Sequence, residues 1–327
     1  MLDSLLSRSI LFFGGKGGVG KTTVASAVGL RSASLGRKTL LVSTDPAHST
    51  SDILQADLGP DPRPVRADFW AMEIDPSEET ERYIDGVKRR ISDSVAPRLV
   101  EEVERQIDIA RVSPGAEEAA LFERFARLIE SERREFDTIL FDTAPTGQTL
   151  RLLSLPELMS VWISGLISRR KKVNVLGRMW RNVAGAAAGD APEPGKDAVI
   201  ATLEERKARF HRVRQLVTDP EQTAFVFVLV PERLPILETA KAVRALEKYR
   251  IPVGAIVVNR VLPDDADGDF LAKRRVQEAE YLVQIDRMLS GYPIYHVPLH
   301  EKDVVGMDSL LRLVAVDHVV HRTSQDV

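Results

Sequence analysis

Apolar residues in this chain fall in short unbroken runs, separated by longer stretches in which they recur every three or four positions. The runs predict strands at Ser9–Phe13, Thr39–Ser43, Phe69–Glu73, Thr138–Phe141, Ala224–Val230, Ala255–Asn259 and Ile294–Val297. Runs such as Phe225 to Val230 lack alternation, as strands covered on both faces do. The intervening periodic stretches predict crossover helices, so the pattern as a whole is that of a doubly wound, mostly parallel α/β sheet. Two intervals exceed a simple crossover. Residues 77–136 and 149–220 each read as several helices, broken near Ser113-Pro114-Gly115 and across Gly185–Gly195. The expected organisation is one domain over 1–327, with these two intervals packed together as an inserted helical subdomain outside the sheet.

Composition then removes several chemistries. The 327 residues include no cysteine, which excludes disulfides, thiolate zinc sites, iron–sulfur clusters and a cysteine nucleophile. With 45 basic against 48 acidic residues, no charge excess favours nucleic acid as a partner. No apolar run approaches the roughly 20 residues that span a bilayer. The first ten residues carry Asp3 and lead straight into a motif, unlike a signal peptide. The expectation is a soluble, cytoplasmic protein.

The first strand runs into Gly14-Gly15-Lys16-Gly17-Gly18-Val19-Gly20-Lys21-Thr22-Thr23, with a helical pattern from Val24. Gly15 to Thr22 satisfies G-x-x-x-x-G-K-[ST] between a strand and a helix, the setting in which it binds phosphate. The glycines let backbone N–H groups converge on phosphate oxygens, and the helix start adds its positive dipole end. Lys21 is expected to neutralise the β- and γ-phosphates of a bound nucleotide, and Thr22 to offer its hydroxyl to Mg²⁺. Lys16 has two readings. One is a solvated loop charge; the other is a cation that reaches the phosphates of a second subunit across a symmetric dimer.

This loop resembles the deviant Walker A loop of the signal-recognition, MinD and BioD class of P-loop ATPases. Ser43-Thr44-Asp45-Pro46-Ala47-His48 and Phe141-Asp142-Thr143-Ala144-Pro145-Thr146-Gly147 narrow the resemblance. Together they look like the family that contains the arsenical-pump ATPase ArsA and the ATPase targeting tail-anchored membrane proteins. Leu150-Arg151-Leu152-Leu153, Thr218-Asp219-Pro220, Val257-Val258-Asn259 and Val297-Pro298-Leu299 extend it over nearly the whole chain. The resemblance implies that Asp45 orients or deprotonates the attacking water, where a turn-initiating aspartate before Pro46 is the plainer reading. Asp142, ending a hydrophobic strand, fits the Walker B role of holding Mg²⁺ directly or through water, and Thr143–Gly147 would be switch II. Gln148 stands where the family usually has histidine. The resemblance further implies that Asn259 bonds the adenine, that Glu232 approaches the nucleotide of the partner subunit, and that Pro298 and Leu299 open a loop over base and ribose. That loop continues as His300-Glu301-Lys302-Asp303-Val304-Val305, which departs from the family pattern.

Leu158 to Ile167 is apolar around most of a helical circumference, and is followed by Arg169-Arg170-Lys171-Lys172. By itself this reads as a packed helix and a solvated basic turn. The resemblance implies instead an apolar groove, from Met159, Trp162, Ile163, Leu166, Met179 and Trp180, that shields the membrane helix of a client protein. The basic run would then meet acidic client flanks or an anionic lipid surface, peripheral to a membrane. His318 and His321 lack carboxylate or cysteine partners and read as surface histidines.

The expected function is thus a Mg²⁺-dependent ATPase acting as a nucleotide-gated homodimer that shields and targets membrane-protein helices, with a membrane receptor or pump as a further partner. Two other readings stay open: an ATPase that drives an arsenical pump, for which this chain offers no thiolate, and a MinD- or ParA-like positioning switch. The missing cysteines also exclude a zinc shared through Cys-x-x-Cys pairs, so a dimer is expected to depend on packing and on ATP, with no zinc.

Overall fold

A computed structural model describes residues 4–45, 49–92, 116–143, 164, 168 and 198–315. Its strands are β1 (Ile10–Gly14), β2 (Thr39–Ser43), β3 (Arg63–Arg66), β4 (Phe69–Glu73), β5 (Thr138–Asp142), β6 (Thr223–Leu229), β7 (Val253–Val261) and β8 (Ile294–Pro298). They form a single sheet in the order β3-β4-β2-β5-β1-β6-β7-β8. Every neighbouring pair is parallel except β3 with β4. The helices are α1 (Lys21–Ser34), α2 (Ser49–Leu54), α3 (Pro76–Ser92), α4 (Ala116–Ser131), α5 (Ala198–Thr218), α6 (Arg233–Lys248), α7 (Asp269–Met288) and α8 (Met307–Ala315).

Successive residues of each strand serve opposite faces. Ile10 and Phe12 of β1 join Ile139, Phe141, Phe225 and Phe227 under α4, α5, α6 and α7. Leu11 and Phe13 join Leu41, Leu140, Val226 and Val228 under α1 and α8. All five positions of β1, β2 and β5 are buried, which is why their hydropathy is continuous. Stacked rings tie the centre: Phe12 and Phe141 lie 5.0 Å apart, and Phe125 of α4 meets Phe141 edge-on at 4.7 Å.

The expected strands are all present, within about two residues at each end. The sequence pattern does not reveal β3, a four-residue edge strand whose positions are mostly exposed. Pro64 is tolerated there because an edge leaves one side unpaired. Of the two long intervals, α4 and the second half of α5 bury Phe122, Phe125, Phe210 and Val213 against the sheet, so its cover reaches into both. Arg209 of α5 joins them by bridging Glu123 at 2.7 Å and Glu130 at 2.9 Å of α4. Met159, Trp162, Ile163, Leu166, Met179, Trp180, the basic run 169–172, Gln148, His318 and His321 lie outside the described residues.

Chain order places the site. From β1 the chain moves over β5 to β2, and later returns to β6 on the other side of β1. The turn after β1 therefore opens at the carboxyl edge where the winding reverses, the usual ligand crevice of such sheets.

Candidate functional site

Two glycines show why this loop takes its path. A Cβ on Gly15 would collide with the carbonyl oxygen of Val228, so the loop passes hard against β6. Gly20, at φ 91°, caps α1, and a Cβ there would meet the amide nitrogen of Asn259. Lys21 and Thr22 open α1 and are both buried. The Lys21 ammonium donates back to the Lys16 carbonyl at 3.4 Å, which holds it across the mouth of the loop. The Thr22 hydroxyl lies 3.1 Å from that of Ser49, at the start of α2.

Asp142 ends β5 opposite Phe13 of β1 and Ser43 of β2. It is fully buried, and neither carboxylate oxygen has a partner within full hydrogen-bond geometry, the Thr22 hydroxyl lying close enough only to ease the cost of its charge. Burial pushes its pKa from 3.8 up to about 7; Thr22 and Lys21 pull it down, while Asp45 and Glu73 push it further up. A buried carboxylate with unused lone pairs, beside a threonine hydroxyl at the phosphate loop, is a set of hard oxygen donors that fits Mg²⁺. The Thr143 hydroxyl donates to the Phe13 carbonyl at 2.8 Å.

Asp45 lies within electrostatic reach of Asp142. Its position is set by the preceding Thr44, whose N–H donates to the Asp142 carbonyl at 3.0 Å. Asp45's own N–H donates to the Ser43 hydroxyl at 3.3 Å. β2 and β5 thus deliver the two carboxylates expected at the metal and the water to one end of the sheet.

On the other flank, Lys16, Gly17, Gly18 and Val19 wall a cavity of about 510 Å³ together with Glu232, Arg233, Arg260 and Arg274. The Lys16 ammonium lies 3.7 Å from Glu238 of α6, and Glu232 lies 3.9 Å from Arg274, all four side chains being exposed. Asn259 is buried, and its amide donates to the Val19 carbonyl at 2.8 Å while its oxygen accepts from Arg260 N–H at 3.0 Å. It therefore braces the phosphate loop, with one N–H and one lone pair left for a base. Pro298 ends β8 beside Val261, and exposed Leu299 donates its N–H to the Val261 carbonyl at 2.7 Å.

The Gly20–Asn259 contact yields a test. Gly20→Ala forces a side chain into a left-handed backbone and against the Asn259 amide, so it is expected to lower stability by about 1–2 kcal/mol. It should also weaken ATP binding in calorimetric titration. Adding Asn259→Ala removes the clash, and the double variant should lose less than the two single losses combined.

Sequence reasoning misses Ser49, Glu73 and Glu238, which the fold brings to these residues from α2, β4 and α6. The one signal available was Glu73 itself, a carboxylate closing an apolar strand as Asp142 does.

Residues 8–316 match the family described as anion-transporting ATPase. A protein of Aquifex aeolicus (strain VF5) bearing the name putative arsenical pump-driving ATPase 2 is 33% identical over 301 residues, covering 92% of this chain and 96% of its own. ATPase GET3A of Arabidopsis thaliana is 34% identical over 306 residues, covering 92% and 81%. ATPase ASNA1 homolog 1 of Paramecium tetraurelia is 33% identical over 308 residues, covering 92% and 89%.

Proposed function

The chain belongs to the anion-transporting ATPase family, and from that premise we propose that it is a homodimeric, Mg²⁺-dependent ATPase whose nucleotide state opens and closes a shield for an apolar helix of a client membrane protein. That it hydrolyses ATP follows from the family; the dimer, the metal and the client are the proposal. Lys21 neutralises phosphate charge, and the loop N–H groups hold the phosphates in line. Mg²⁺, held by Thr22 and by Asp142 directly or through water, would supply charge neutralisation at the β- and γ-phosphates. Asp45 accepts a hydrogen bond from the attacking water and takes its proton as the new oxygen–phosphorus bond forms and the bond from the γ-phosphorus to the bridging oxygen breaks, releasing ADP and phosphate. Asn259, with Pro298 and Leu299, borders the base.

The observation that carries the dimer is the outer flank of the loop, where Lys16 and Glu232, distant in sequence, line one cavity. The Lys16–Glu238 pair is solvent-exposed and so is worth little, about 0–1 kcal/mol. Lys16 can exchange that partner for the phosphates of a second copy at small cost. Differential affinity of ATP for the closed over the open dimer then supplies the gating energy.

The apolar stretch 158–167 and the Met179-Trp180 pair support the client assignment, together with the family resemblance. Among the described residues no helix is long and apolar enough to cross a membrane. In this reading the chain works in the cytoplasm and meets the membrane peripherally, when it delivers its client. The likeness to an arsenical pump-driving ATPase supports a second reading, in which the closed dimer drives a membrane pump. With no cysteine, such a chain would need metalloid ligands other than thiolates.

One experiment separates these. With ATP present and turnover blocked by Asp45→Asn, the protein is expected to sediment as a dimer carrying a co-expressed single-helix membrane protein. Lys16→Ala should return it to monomer. Trp162→Asp should keep the dimer and lose the helix. A dimer that forms equally well without ATP or without Lys16 would sink the gating, and a helix retained by Trp162→Asp would sink the groove.

A further inference from the structure

We propose that Glu73 is a positioning residue of the hydrolytic site, clamping from a neighbouring strand the segment that follows Asp45. It closes β4 directly beside Ser43 of β2, and Ser43 in turn lies opposite Asp142 of β5. The ends of three adjacent strands therefore set Glu73 and Asp142 on either side of the strand that leads to Asp45.

Glu73 is buried, yet it stays well bonded. One carboxylate oxygen accepts the backbone N–H groups of Thr50 and Ser51, each at 3.0 Å. The other accepts the Ser51 hydroxyl at 2.8 Å. These N–H groups belong to the first turn of α2, where no helical carbonyl can reach them. Three hydrogen bonds to one side chain tie this turn to the end of β4.

A helix start is ordinarily capped by its own neighbouring side chain. Here an acceptor also arrives from the sheet, at the edge that carries the phosphate loop. The residue that opens the clamped turn, Ser49, has its hydroxyl 3.1 Å from that of Thr22. Holding Thr50 and Ser51 to Glu73 thus fixes Ser49 against the threonine expected to face Mg²⁺. On the other side of Asp45, Thr44 is tied to the Asp142 carbonyl. The residue before Asp45 and the helix that begins four residues after it are therefore both anchored, the first by Asp142 and the second by Glu73. A displacement of about 1 Å in such an element slows chemistry without abolishing binding.

The inference rests on the ATPase reading, and wild-type turnover is the control that keeps the two apart. A wild-type protein without ATPase activity would defeat that reading, whereas the outcomes below concern Glu73 alone. Glu73→Ala is expected to lower kcat about tenfold while the KM for ATP changes less than about threefold. It should also reduce the gain in ATP affinity that Mg²⁺ confers, measured by calorimetry with and without chelator. Glu73→Gln keeps an oxygen for the two N–H groups and should restore most of both. Glu73→Asp is a methylene too short and should behave like Glu73→Ala. Should Glu73→Ala fail to fold, Ser49→Ala reads the same path: a weaker response to Mg²⁺ with an unchanged thermal midpoint supports the inference. Normal kcat and normal Mg²⁺ response in Glu73→Ala would overturn it, as would a normal Mg²⁺ response in Ser49→Ala.

Discussion

Replacing Asp45 with asparagine is expected to cut ATP turnover by about 100-fold or more while leaving ATP affinity within about threefold. Asparagine matches the volume of aspartate and can still accept a hydrogen bond from water. It cannot take a proton, and it presents an N–H₂ donor where a second acceptor stood. The neighbourhood predicts a second, opposite effect. The Asp45 charge is one of the influences that push the Asp142 pKa up. Removing it lets Asp142 ionise more readily, so the Mg²⁺ requirement of the variant should stay the same or fall. A slow enzyme that saturates with Mg²⁺ as easily as the wild type would identify Asp45 with the water and not with the metal. Undiminished turnover would place the water elsewhere. A raised Mg²⁺ requirement would reassign Asp45 to the metal site.

The asymmetry between Asp45 and Glu73 shows what could be read before the fold was known. Asp45 stands in a local motif, and the family resemblance carried by that motif is what points it to the water. The phosphate loop is local too, since a strand, a glycine turn and a helix start are contiguous in the chain. The central strands are legible because burial on both faces makes them uniformly apolar. Glu73, Ser49 and Glu238 acquire meaning only through register and crossover. Nothing in the run Phe69 to Glu73 says that its last residue will lie beside Ser43 and face the start of α2. Asn259 is an intermediate case. The family resemblance directs it to the base, whereas the bare Cα of Gly20 lets its amide reach the phosphate loop from a distant strand. β3 escapes notice because a short exposed edge has no hydropathy to display.

The largest stability effect is expected at Asp142, and it runs against the usual cost of altering a functional residue. In the unfolded chain its carboxyl releases a proton near pH 3.8; in the folded protein, burial delays this to about 7. Between those values the native state holds a proton that the unfolded state has lost, so stability falls as pH rises. Each pH unit costs about 1.4 kcal/mol, or about 4 kcal/mol over the whole interval, with no further change above about pH 7. A carboxamide at this position does not titrate, so Asp142→Asn should match the wild type near pH 4 and exceed its stability increasingly towards pH 7.5. Denaturant unfolding of the ligand-free protein at pH 5 and pH 7.5 reads this directly, as a gap that widens by about 3 kcal/mol. Adding Mg²⁺ and ATP should narrow the gap, because a ligand that requires the carboxylate stabilises only the protein that has one; at 100 times its Kd it contributes about 2.7 kcal/mol. Parallel pH curves for the two proteins would mean that Asp142 ionises without penalty, and the orphaned carboxylate would then lose its force as a sign of a metal site. Divergent curves closed by Mg²⁺ and ATP would instead identify the unpaired charge as the element that makes the folded state wait for its ligand.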